Sequence, residues 1–124
     1  MEQFTVHTVN EIDELALKIN QSQKMFVLLT GSNDPETGES WCPDCREVKD
    51  GLNKAVESVK ENNVFVTCFV GYRSAWKGDN EFRRHEKLKA KSIPHVVEWG
   101  TSRFFEDTTV IADTDKMKAF FEGN

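Results

Sequence analysis

The chain has 124 residues, 16 basic and 21 acidic side chains for a net charge of -5, and a hydrophobic content of 38% with 10% aromatics. That length suits one domain with one core, and that composition argues against disorder. The acidic balance disfavours nucleic acid or an anionic membrane surface as the main partner, and the longest apolar run, Met25 to Leu29, is far too short to span a bilayer.

Met1 to Thr5 lacks both the basic and the apolar region of a secretory leader, and three cysteines, an odd number, fit a reducing compartment better than a secreted disulfide framework. A cytoplasmic protein is therefore expected.

In chain order, Gln3 to Val9 alternates Phe4, Val6 and His7 with threonines and reads as a first strand. Asn10 is placed to cap the next helix, in which Ile12, Leu15, Ala16 and Ile19 form one apolar stripe. Met25 to Leu29 is a continuous apolar run, as expected of a central strand covered on both faces. Gly31 to Ser40 is polar and holds Asn33-Asp34-Pro35 and Gly38, so it reads as a loop delivering the chain to Trp41. Beyond Cys42, the positions Val48, Leu52, Ala55, Val56 and Val59 follow helical spacing; Pro43 suits the first turn, and Asn62-Asn63 ends the helix.

Val64 to Val70 reads as a second buried strand, Gly71 to Asn80 as a second loop and Glu81 to Leu88 as a short amphipathic helix. The basic residues between Arg83 and Lys91 read as a solvated face of it. Ile93 to Trp99 leads into a strand, Gly100-Thr101-Ser102 is a turn before an edge strand from Arg103 to Phe105, and Thr114 to Glu122 carries Met117, Phe120 and Phe121 on one helical face. The order β-α-β-α-β-α-β-β-α predicts an α/β fold in a single domain over residues 1–124, with a central mixed β-sheet and helices on both faces. Sites in open α/β sheets favour the carboxyl ends of the strands, where Trp41 to Cys45 falls.

Trp41-Cys42-Pro43-Asp44-Cys45 places two thiols three positions apart, a spacing that closes a small, reversible disulfide, Cys42-Cys45. A cysteine at a helix N-terminus is stabilised as the thiolate by the helix dipole and free N–H groups, so Cys42 is the expected nucleophile. Cys45, one turn inside, should be less exposed and suits the resolving role. Asp44 opposes ionisation of Cys42 whereas Arg46 favours it, and the sequence leaves open which is nearer. Trp41 either presents a flat apolar edge to an approaching disulfide or covers the core beneath the loop.

Ile93-Pro94 is a second element of interest, because a proline opening a strand tolerates the cis form and shapes a tight corner. Cys68, inside an apolar strand, reads as a small buried hydrophobe. Scattered His7, His85 and His95 beside one Cys-x-x-Cys lack the paired spacing of a zinc site, so no metal is expected. Arg46 stands where a haem attachment motif needs histidine, and no phosphate-binding loop is present.

Taken together, Thr30-Gly31-Ser32, the ten-residue loop, Ser40-Trp41-Cys42-Pro43-Asp44-Cys45, Val70-Gly71, Trp76-Lys77, Phe82-Arg83 and Ile93-Pro94 cover nearly the whole chain. Through them it resembles the thioredoxin superfamily, and within it the 14-kDa thioredoxin-related protein (thioredoxin domain-containing protein 17) family. Ordinary thioredoxins carry Gly-Pro between the cysteines and a much shorter approach. The resemblance implies a cytosolic disulfide reductase of thioredoxin fold, recharged by thioredoxin reductase at the expense of NADPH. It further implies no bound cofactor, action on cystine or selected protein disulfides, peroxidase activity, and a monomer. Carried over by position, Cys42 attacks, Cys45 resolves and Pro94 is the cis-proline facing them, with Trp41, Pro43 and Asp44 as active-site support.

Three positions depart from the pattern. The apolar Leu28-Leu29 region replaces thioredoxin's buried aspartate, so Asp44 or water is expected to take the Cys45 proton. Asp50-Gly51 stands where the family often has a helix-kinking proline. His95 follows Pro94 where threonine is usual, either as a structural group or as one that alters substrate choice. A redox-sensing binding module with the same fold, switching a partner rather than turning over substrate, is the alternative function.

Overall fold

In the computed structural model, which describes residues 1–123, strand β1 (Glu2–Val6) gives way to helix α1 (Val9–Lys18) earlier than the alternation predicts. Thr8, rather than Asn10, is the N-cap: its Oγ1 accepts the Glu11 N–H at 3.1 Å, and Glu11 reaches back to the His7 N–H at 3.0 Å. That reciprocal arrangement satisfies two donors a helix start would otherwise leave unpaired, and it outcompetes extending the strand to Val9. Asn10 instead donates to Glu14 along the helix surface. Asn124, the last residue of the expected domain, lies outside the described residues.

Strand β2 (Met25–Thr30) and strand β3 (Val64–Phe69) run parallel, and β1 pairs parallel with β3 on its other side. Strand β4 (His95–Glu98) pairs antiparallel with β2, and the two-residue β5 (Phe104–Phe105) pairs antiparallel with β4. The sheet order is β1-β3-β2-β4-β5, a mixed sheet.

Alternation along β2 divides the core in two. Met25, Val27 and Leu29 join Val9 and Ile12 of α1 on one face. Phe26 joins Val48, Leu52 and Ala55 of helix α2 (Pro43–Val56) on the other. Phe26 meets Phe120 and Phe121 edge-on, with ring centroids 5.6 and 5.0 Å apart. Each such buried apolar side chain contributes about 1.5–3 kcal/mol relative to exposure.

Two short helices add to the predicted elements, one inside an expected loop and one in a stretch with no predicted element. Helix α3 (Arg73–Lys77) occupies the expected second loop and buries Trp76 in the α1-side core, and helix α5 (Thr108–Ile111) is capped by Asp107. Between them, α4 (Glu81–Arg84) stops before Leu88 because His85 is extended. The closing helix α6 (Thr114–Glu122) matches its predicted span. Arg83 is not a solvated charge: it stacks over Trp76 at 4.3 Å and donates to the carbonyls of Trp76 and Lys91.

Helix α2 runs unbroken past Gly51, and a Cβ there would sit 2.2 Å from the Ala112 carbonyl oxygen. Glycine thus allows α2 to press against the α5–α6 junction, where Thr114 donates to the Gly51 carbonyl at 2.9 Å. Among the described residues no helix is long and apolar enough to cross a membrane.

Candidate redox site

Cys42 is the N-cap of α2, at the carboxyl end of β2, and Pro43 is the first helical residue. The Cys45 N–H donates to Cys42 Sγ at 3.2 Å, the hydrogen bond a capping serine would make with its hydroxyl. The Cys45 thiol, hydrogen-bonded to Cys42, is the main influence holding the Cys42 pKa down at about 7; burial and the Asp44 carboxylate push it up. Asp44, not Arg46, is therefore the charge that Cys42 senses. Arg46 turns away to donate to the Ser40 carbonyl at 2.6 Å.

Cys45 shows the opposite tendency. Its hydrogen bond to Cys42 and its burial raise its pKa far above that of a free thiol, while the Thr30 side chain and the Gly31 backbone oppose the rise. Exposure does not separate the two cysteines, contrary to expectation, since each is only 5% exposed. The asymmetry lies in the hydrogen bonding. Cys45 also borders a cleft of about 300 Å³ whose lining includes Leu28, Thr30, Asn33, Arg46 and Lys49. Leu28, from the apolar Leu28-Leu29 region expected to stand in place of a buried aspartate, lines this cleft, and Asp44 is not part of it.

The approach loop is a folded structure. Asn33 and Ser40 form an antiparallel bridge, and the turn inside it places Gly38 at φ 75. Ser40 Oγ donates to the Gly31 carbonyl at 2.8 Å and accepts the Cys42 N–H at 3.2 Å, which fixes the chain entering the motif. A side chain on Gly31 would collide with the Trp41 indole at 2.8 Å. Trp41 is half-buried against the α1-side core and donates its indole N–H to the Gly71 carbonyl at 2.8 Å, so it covers the core and ties the two loops together.

Ile93 and Pro94 lie across from the thiols. The Ile93-Pro94 peptide is cis, and Ile93 O is 3.9 Å from Cys42 Sγ. His95, at the start of β4, is 1% exposed. Its Nδ1 is 2.8 Å from Glu106 Oε2, its ring stacks on Phe104 at 5.2 Å, and Nε2 has no hydrogen-bond partner. Burial pushes the His95 pKa down despite the nearby carboxylate.

The structure thus brings Trp41, Cys42, Pro43, Asp44, Cys45 and Pro94 to one end of the sheet. Sequence reasoning assigned no role to Ser40, Thr30, Gly71 or Glu106. Ser40 carried a usable signal, since a serine two residues before a helix cap is well placed to bond the incoming backbone. Cys68 is buried within β3, and burial pushes its thiol up to about 12. Among the described residues no group of three or more His, Cys, Asp and Glu stands together where it could hold a metal ion.

Two thiols at the start of the helix after β2, on a mixed sheet of this order, make the chain a thioredoxin-fold protein. The family described as thioredoxin domain-containing protein 17-like, thioredoxin domain, matches residues 5–123, and the chain belongs to it. It is similar to Thioredoxin domain-containing protein 17 of Mus musculus, with 37% identity over 101 residues, 81% of this chain and 79% of the mouse protein. The protein of the same name in Danio rerio is 30% identical over 118 residues, 94% of this chain and 93% of its own length. Thioredoxin-like protein Clot of Arabidopsis thaliana is 31% identical over 81 residues, 64% and 60% of the two chains. Membership supports a thiol-disulfide redox role in general terms.

Proposed function

We propose that the chain is a thiol-disulfide oxidoreductase of the disulfide-reductase type, working through Cys42 and Cys45 without a bound cofactor. The observation that carries this reading is the Cys42 sulfur at the start of α2, which accepts the Cys45 N–H at 3.2 Å; this bond and the Cys45 thiol favour its thiolate, the attacking species. The thiolate attacks one sulfur of a substrate disulfide, forming a mixed disulfide and releasing the other sulfur as a thiolate. Cys45 then loses its proton and attacks Cys42 Sγ, which releases the second substrate thiol and leaves the Cys42-Cys45 disulfide. Once Cys42 is engaged in the mixed disulfide, it no longer holds the Cys45 thiol as a hydrogen-bond donor. Water in the cleft beside Cys45 takes the proton, since Asp44 bears on Cys42 and stands outside that cleft.

Two electrons from NADPH, delivered by thioredoxin reductase, restore the dithiol. Cystine and selected protein disulfides are the substrates, and the folded approach loop narrows the choice. A peroxide is reduced by the same thiolate to the alcohol or water; Cys45 condenses with the resulting sulfenic acid, releasing water. The reaction belongs in a reducing, cytoplasmic setting and needs only a monomer.

A coupled assay with thioredoxin reductase, NADPH and cystine tests this. Continuous NADPH consumption that is lost in Cys42→Ser is expected. One stoichiometric oxidation followed by arrest would contradict turnover and favour a redox sensor.

A further inference from the structure

The segment Lys91 to Ile93 reaches the thiols without belonging to any helix or strand, yet its backbone is held from two sides. Glu106, just after β5, is the main holder. Its Oε2 accepts the Lys91 N–H at 2.8 Å, the Ser92 N–H at 3.1 Å and His95 Nδ1–H at 2.8 Å. From the other side, the Arg83 guanidinium donates to the Lys91 carbonyl at 3.1 Å. One carboxylate oxygen therefore grips residues before and after Ile93-Pro94. Ile93 is the residue whose carbonyl lies 3.9 Å from Cys42 Sγ.

We propose that Glu106 is a positioning residue for the redox site, fixing the Ile93-Pro94 wall beside Cys42 through its three accepted hydrogen bonds. The inference rests on the disulfide-exchange reading above. Attack on a disulfide needs the incoming sulfur in line with the bond that breaks, and a wall that shifts by an ångström loses that alignment. Glu106 touches neither thiol. Its loss therefore slows attack on a disulfide while leaving the ionisation of Cys42, which Cys45 governs, in place. The step affected is the first one, in which the Cys42 thiolate forms the mixed disulfide and the substrate's other sulfur departs as thiolate.

The test compares wild type, Glu106→Ala, Glu106→Asp and Glu106→Gln in the pre-reduced state, by rapid mixing with cystine and, separately, by the pH dependence of Cys42 alkylation. Glu106→Gln keeps an acceptor oxygen at the same reach, whereas Glu106→Asp keeps the charge but shortens the reach by one methylene. The expected result is a loss of about ten-fold in the cystine rate for Ala and for Asp, a rate within about two-fold of wild type for Gln, and an unchanged alkylation profile in all. Should Ala fail to fold, Asp carries the same expectation. A wild-type cystine rate in Asp, or a Gln variant as slow as Ala, would overturn the positioning role while leaving disulfide exchange standing. A wild-type protein inert to cystine yet alkylated normally would overturn the exchange reading, and the inference with it.

Discussion

At the scale of single residues, the site depends on a sulfur standing in for a capping oxygen. Cys42 accepts the Cys45 N–H and is held low by the Cys45 thiol, while exposed Asp44 works against it. Replacing Asp44 with Asn removes the opposing charge and leaves the cap alone. The thiolate fraction of Cys42 at pH 6, read by ultraviolet absorbance, should rise roughly two-fold, the size expected of one screened carboxylate. An unchanged titration would show that Asp44 is electrostatically silent. The two thiols and their place at a helix start were legible in the sequence, because Pro43 suits a first turn and the positions from Val48 onward keep helical spacing. The sign of the Asp44–Arg46 contest was not, since it turns on Arg46 swinging to the Ser40 carbonyl. Glu106 was hidden too, because a carboxylate on a short edge hairpin carries no local pattern that points 14 and 15 residues back along the chain.

Among the elements, the long ones were readable and the short ones were not. The apolar run of β2 and the stripes of α2 and α6 each supply several periodic positions, whereas α3 and α5 have five and four residues. A helix of one turn has no period to detect. Its signals are a cap and one buried anchor, Asp107 and Ile111 for α5, or Trp76 for α3. Gly51 illustrates the same limit. Beside Asp50 it read as a departure from a proline, whereas its role is the close approach of α2 to the Ala112 carbonyl. Gly51→Ala should therefore destabilise the fold by about 1–3 kcal/mol despite alanine's higher helix propensity, because overpacking against backbone outweighs a propensity gain of about 1 kcal/mol. The urea midpoint measures this, and a stabilised variant would mean that α5 yields freely.

For the molecule as a whole, the buried His95 couples stability to pH. Above its ordinary value of 6.5 the imidazole is neutral in both folded and unfolded chains; below it, the unfolded chain takes up a proton that the buried ring resists. Stability present at neutral pH is thus lost as pH falls below 6.5, by at most about 1.4 kcal/mol per pH unit from this group. Glu106, whose pKa is lowered by its bonds to His95 and to the Lys91 and Ser92 amides against the effect of burial, adds a further loss at lower pH, beginning near 4.5. Urea unfolding at pH 7.5 and 5.5 should show this loss in wild type and a flatter profile in His95→Gln; equal slopes would contradict it.

The mixed sheet, its two packed faces and the thiols at its carboxyl edge are the frame for the proposal that Cys42 attacks and Cys45 resolves. The direct measurement is to treat reduced Cys45→Ser protein with cystine and map the product by mass spectrometry. A stable cysteinyl adduct on Cys42, absent from the Cys42→Ser protein, is the predicted result; an adduct on Cys68, or none at any cysteine, would contradict the account.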